Sequence, residues 1–112
     1  MLPLMKNVLF VCSQNRLRSP TAEHVFAEYP GIEVSSAGTN NGAENPLTNE
    51  LVAWADIIFV MEKSHRNKLQ KKHRAALQSV RVICLDIPDD SEFMDEALVR
   101  LLRAKVTRYL PV

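Results

Sequence analysis

Four short apolar runs alternate along the chain with stretches whose apolar residues recur at helical spacing. Residues 7–12 (NVLFVC) are continuously apolar, β-branched or aromatic, and a helical pattern follows them. This predicts a parallel strand buried on both faces. After Ser19, Pro20 suits the first helical position, and Ala22, Val25, Phe26 and Tyr29 make one apolar face of a helix that ends near Pro30-Gly31. Residues 32–37 (IEVSSA), closed by Gly38, predict a second strand. The turn-rich stretch 40–48 leads through a cap at Thr48 to a short helix over 49–55. IIFVM (57–61) predicts a third strand, 64–78 a helix, VRVICLD (80–86) a fourth strand and 95–110 a terminal helix. The stripe of that last helix is Leu98, Leu101, Leu102, Val106 and Tyr109.

The order βαβαβαβα calls for right-handed crossovers between parallel strands, hence a three-layer α/β/α fold around a four-stranded parallel sheet. At 112 residues the chain reads as a single domain spanning 1–112, without repeat, linker or low-complexity segment. Ligands of such sheets collect beyond the carboxyl ends of the strands, near a topological switch point. Cys12 stands at one of those ends.

Composition narrows the picture by exclusion. Apolar residues make up 46% and charged residues 24%, ordinary globular usage, and the net charge of +1 draws the chain toward neither nucleic acid nor anionic lipid. The charges are segregated, with six Lys/Arg in 63–74 and six acids in 86–96, which reads as a solvated helix face and an acidic loop. No nucleotide-binding Gly-x4-Gly-Lys loop, RNA motif or zinc finger accompanies the basic face, so no nucleic-acid partner is expected. Two cysteines are too few for a disulfide framework, and no four-ligand Cys/His pattern exists. His24, His65 and His73 read as surface or packing residues, Cys84 as a core residue and Trp54 as packing. No metal and no cofactor are expected. The opening MLPLMKNVLFVC lacks the layout of a secretory leader and no run approaches 18 apolar residues, so a cytoplasmic protein with no membrane partner is expected.

The chemistry concentrates in CSQNRLRSP, residues 12–20. A loop that leaves a strand and enters a helix can turn successive N–H groups, here those of Ser13, Gln14, Asn15, Arg16 and Leu17, toward one centre. The helix N-terminus adds its own donors and the positive end of its dipole. That centre attracts an oxyanion, and Arg18 at its rim offers the planar fork that suits a phosphate. A sulfur beneath these donors is favoured as the thiolate and is aligned for in-line attack on phosphorus, giving a cysteinyl-phosphate. Such a reaction also needs a proton carrier for the leaving oxygen. The acidic stretch Asp86-Ile87-Pro88-Asp89-Asp90, after the fourth strand, lies at another carboxyl end of the sheet. Arg16 reads either as an exposed charge or as a recognition residue at the rim.

CSQNRLRS resembles the C-x5-R-S signature of the low-molecular-weight protein tyrosine phosphatase family. SSAGT (35–39), ADIIFVMEKSH (55–65) and DIPDD (86–90) resemble further segments of that family in the same order. The resemblance implies Cys12 as nucleophile and Arg18 as phosphate clamp, with Ser19 supporting the thiolate and Asn15 with Ser36 bracing the loop. The general acid maps to Asp89, ahead of Asp90 and Asp86. It implies a metal-independent phosphomonoesterase whose substrate is a phosphorylated protein or an aryl phosphate, and a site that takes phosphate- or sulfate-like anions. Two alternatives accompany it: an arsenate reductase on the same fold, for which Cys84 is a poor relay thiol, and a slow-turnover phosphate or phosphoprotein binder. The chain departs from typical members in three places. Only fifteen residues separate Thr39 from Ala55; Asp89 is followed by Asp90 and Ser91 rather than an aromatic; and Gln14 and Leu17 stand where glycine and a second cysteine are usual.

Overall fold

Strands β1 (Lys6–Cys12), β2 (Ile32–Gly38), β3 (Ile57–Val60) and β4 (Arg81–Cys84) form one sheet in the order β2-β1-β3-β4, and every pairing is parallel. The coordinates are a computed structural model that describes residues 5–40, 42–77, 80–88 and 92–110. The continuous apolar runs have the reason anticipated for them. Val8, Phe10 and Cys12 of β1 point into one core layer while Leu9 and Val11 point into the other, and all five are buried. A strand covered on both faces has no side on which a polar residue would be solvated.

Helices α1 (Arg18–Phe26) and α4 (Glu96–Val106) cover the first face with Ala22, Phe26, Leu98, Leu102 and Val106, around the stacked rings of Phe10, Phe26 and Phe59. Helices α2 (Asn49–Trp54) and α3 (Lys63–Lys72) cover the second with Val52 and Leu69. The three-layer α/β/α expectation therefore holds. No described helix is long and apolar enough to cross a membrane.

Several boundaries differ from the sequence reading. Helix α1 starts at Arg18, two residues early, so Pro20 occupies the third position of its first turn, where an amide has no intrahelical acceptor to lose. It stops at Phe26 rather than near Pro30. The helix predicted over 64–78 breaks at His73 (φ −125°, ψ 27°) into a 3₁₀ turn at Arg74–Leu77. Helix α4 ends at Val106 with a 3₁₀ turn after it, and Leu101 of its predicted stripe is 39% exposed while Leu98, Leu102 and Val106 are buried. Tyr109 packs on Phe59 and lies under the Arg81 guanidinium, 5.1 Å from ring centre to carbon. Thr48 caps α2 as expected, accepting from the Leu51 amide at 3.1 Å.

The strand order reverses beside β1: the chain moves from β1 outward to β2, then returns to the other side of β1 as β3. The carboxyl ends of β1 and β3 thus flank the switch point. Both chain exits from that point carry functional residues.

Candidate active site

The loop Ser13–Leu17 joins β1 to α1, and its carbonyls are occupied from outside. The Thr39 amide donates to Cys12 O at 2.9 Å, Asn40 to Ser13 O at 3.0 Å and Glu44 to Gln14 O at 3.1 Å. Among the described residues, no carbonyl accepts from the amides of Ser13, Gln14, Asn15, Arg16 or Leu17. Helix α1 has no side-chain cap at Leu17, so its free N-terminal donors open on the same space. That space is a depression of about 100 Å³ lined by Cys12, Ser13, Gln14, Arg16, Leu17 and Arg18.

Two close approaches hold the loop in this shape. Asn15 sits at φ 57°, a left-handed conformation that asparagine tolerates better than most residues. Gly38, at the end of β2, passes directly behind the loop: a Cβ there would stand 2.6 Å from Ser13 O and 2.5 Å from the Ala43 methyl, so only glycine lets the 38–44 segment reach the loop carbonyls.

The sulfur of Cys12 is buried and lies 2.9 Å from Ser19 Oγ, which in turn donates to Asn15 Oδ1 at 2.8 Å. Ser36 bonds to neighbours of the loop and not to the loop itself. Its hydroxyl donates to Glu23 on α1, and its carbonyl accepts from Asn45 Nδ2 at 2.6 Å, tying β2 to both α1 and the shortened segment.

Arg18 is 3% exposed, and its Nη1 donates to Glu62 Oε2 at 2.6 Å and to Ile87 O at 2.8 Å. Glu62 is 42% exposed, so water screens this pair from one side. Ile87 also donates its amide to Met61 O at 2.8 Å, which pins the chain leaving β4 against the arginine. Asp89 and Asp90 lie outside the described residues. Asp86 is exposed at φ 53°, and its Oδ1 accepts from the Cys84 thiol at 3.5 Å.

Glu62 and His65 were not singled out for the site from the sequence, yet they hold it from the β3 side. Together they form a capping box at the start of α3. His65 is 1% exposed; its Nδ1 accepts from the Glu62 amide at 3.1 Å, which leaves the ring proton on Nε2 to be donated to Ser13 Oγ at 2.9 Å. One helix start thus grips both Arg18 and Ser13. A capping box normally shows Glu or Gln at the third helical position, so histidine there concealed the pattern. Replacing His65 by leucine keeps the volume but strands the Ser13 hydroxyl and the Glu62 amide. We expect about a tenfold fall in kcat/KM toward an aryl phosphate and a loss of about 1–3 kcal/mol of stability, read by steady-state kinetics and thermal unfolding. Unchanged kinetics would remove His65 from the loop's support.

Trp54, Phe93 and Cys84 lie away from the loop. The Trp54 carbonyl accepts from Asn7 Nδ2 at 2.9 Å, at the opposite end of β1 from Cys12 and roughly 17 Å away along the strand. Phe93, 50% exposed, packs edge-on against His24, two turns along α1 from Leu17. Cys84 pairs with Val60, which pairs with Val11, so it lies two strands from the end of β1, roughly 9.5 Å, and packs on the opposite face from Cys12. Burial pushes its thiol above the ordinary range, against which a hydrogen bond at the Asp86 backbone acts in part. Among the described residues no three His, Cys, Asp or Glu stand together so as to hold a metal ion.

Known proteins resemble this chain in sequence and fold. Residues 7–52, which contain the loop and its Gly38 backing, match the family of low molecular weight phosphotyrosine protein phosphatases. A probable low molecular weight protein-tyrosine-phosphatase, EpsP of Ralstonia nicotianae, is 30% identical over 69% of this chain and 70% of its own length. Among solved structures, Vibrio vulnificus Wzb in complex with benzylphosphonate superposes with a TM-score of 0.75 at 25% identity, covering 94% of this chain and 97% of that one. The YwlE arginine phosphatase of Geobacillus stearothermophilus shares the fold with a TM-score of 0.63 at 23% identity, covering 89% of this chain and 82% of its own. With the loop, its backing strand and the four-stranded sheet all in common, the chain belongs to the low molecular weight protein-tyrosine-phosphatase family.

Proposed function

We propose that this protein hydrolyses phosphomonoesters, of phosphoproteins or small aryl phosphates, through a cysteinyl-phosphate on Cys12. The observation that carries the reading is the set of five loop amides without carbonyl partners among the described residues, above a buried sulfur. They match the three equatorial oxygens of a phosphoryl group in flight, where charge spreads as the bond to the leaving oxygen stretches. Arg18 closes the rim with a guanidinium whose plane is set by Glu62 and Ile87 O.

In the first step Cys12 Sγ attacks phosphorus, the bond from phosphorus to the ester oxygen breaks, and that oxygen takes a proton from Asp89. What supports Asp89 is its place in the chain: Ile87, two residues before it, accepts from Arg18 at the rim. In the second step Asp89 takes a proton from water, the hydroxide oxygen bonds to phosphorus, and the sulfur leaves as thiolate. Ser19 serves both states of the sulfur. Its single hydroxyl proton goes to Asn15 while Cys12 is a thiol. It turns to the sulfur when that is anionic, as the Asn15 amide rotates to present Nδ2.

A free thiol at the reacting position fits a reducing compartment, the cytoplasm. Arsenate reduction through a second thiol of this chain finds no support. A disulfide needs Cα atoms within about 7 Å, whereas Cys84 is further off, on the other face and held protonated.

The test is rapid quenching of the enzyme with an excess of a nitrophenyl phosphate, followed by mass spectrometry of the Cys12 peptide. We expect a burst of nitrophenol equal to the enzyme and a phosphorylated Cys12. Turnover without that adduct would assign the chemistry to another nucleophile, and an adduct that never hydrolyses would make the protein a binder.

A further inference from the structure

We infer that Arg16 at the rim makes the site selective for phosphate esters flanked by acidic groups over those flanked by cationic ones, with Glu44 beside it moderating that preference, an inference that rests on the hydrolase reading above. In-line attack from Cys12 directs the leaving group away from the sulfur, out through the mouth of the depression. Whatever adjoins the phosphate in the substrate therefore passes the residues lining that mouth. These include Arg16 and the 37% exposed Leu17, with no aromatic among the described residues lining it.

Arg16 is weakly held. Its Nε stands 3.8 Å from Glu44 Oε1, with the two side chains 63% and 66% exposed, a separation and exposure at which partners exchange readily with water. The Glu44 backbone is held at the loop, because its amide is bonded to Gln14 O. The guanidinium thus rests beside a solvated carboxylate carried on a held backbone and can swing to an incoming anion. A second cation stands behind the same loop: Lys68 Nζ donates to Asn40 Oδ1 at 3.2 Å, and the Asn40 amide donates to Ser13 O. Without aromatic walls to grip a ring, charge at the rim is what remains to distinguish one phosphate ester from another.

Three phosphotyrosine peptides of equal length, with glutamate, alanine or lysine on both sides of the phosphotyrosine, test this. Their affinity for the Cys12→Ser chain is read by fluorescence anisotropy, which needs no turnover, and kcat/KM is read with the unaltered enzyme. We expect the order Glu, Ala, Lys, about tenfold from end to end at low salt and shrinking to about twofold near 0.5 M salt. Arg16→Glu should abolish or invert the order, and Glu44→Gln should widen it. Equal affinities for the three peptides, or an order indifferent to Arg16→Glu, would overturn the inference. Loss of nitrophenyl phosphate turnover would instead overturn the hydrolase reading, and the affinity order would still be measurable.

Discussion

Cys12→Ser is expected to lower the turnover of an aryl phosphate by about 10⁴-fold or more while leaving the fold and the affinity for inorganic phosphate nearly intact. A serine hydroxyl fits the buried site of the sulfur, so little repacking follows. What changes is the nucleophile. A hydroxyl must lose its proton during attack, and the only side chains bonded along this line among the described residues, Ser19 and Asn15, are not bases. The loop amides and Arg18 are untouched, so the anion still binds. Initial rates and the stabilisation of thermal unfolding by phosphate measure the two quantities separately. Appreciable turnover by the serine variant would show that the sulfur is not the attacking atom.

Arg18→Lys should cost about 10²- to 10³-fold in kcat/KM although the formal charge is conserved. The guanidinium donates from one nitrogen to two protein acceptors, Glu62 Oε2 and Ile87 O, and that anchoring fixes its position beside the loop. An ammonium is a point donor on a flexible stem. It can satisfy the carboxylate or the phosphate but cannot present a planar fork to both. The site is 3% exposed, so the more strongly hydrated lysine also meets a desolvation cost there, and stability should fall by about 1–2 kcal/mol. Glu62→Gln is the informative companion: the anchor becomes neutral, and the loss should be smaller and fall mainly on kcat. A lysine variant with native kinetics would mean that charge alone suffices and that the anchored fork is irrelevant.

Much of this architecture was legible along the chain. Val8–Cys12 and Ile57–Met61 could be read as strands buried on both faces because burial of that kind tolerates no polar alternation. The C-x5-R-S stretch announced an anion site because a strand-to-helix loop has few other ways to use its unpaired donors. The misses share a cause. The helical pattern continues through His73 because local spacing does not register that the next turn, Arg74–Leu77, packs against α2. Leu101 fits the apolar stripe by spacing yet stands 39% exposed, because spacing does not register how far neighbouring elements cover a face. His65 was read as surface or packing because its partners, Ser13 and the Glu62 amide, are defined by the crossover that brings β3 beside β1.

Local chemistry by itself determined the strand and helix types, the parallel sheet, and the thiol and guanidinium at the first loop, since each follows from residues within a few positions of one another. Only the tertiary structure decided which groups support that loop. The 38–44 segment turns its carbonyls outward, α3 supplies Glu62 and His65, and the chain after β4 closes on Arg18. These contacts join residues 27 to 69 positions apart, and their pairing is set by the order in which the strands pack, which no local pattern encodes.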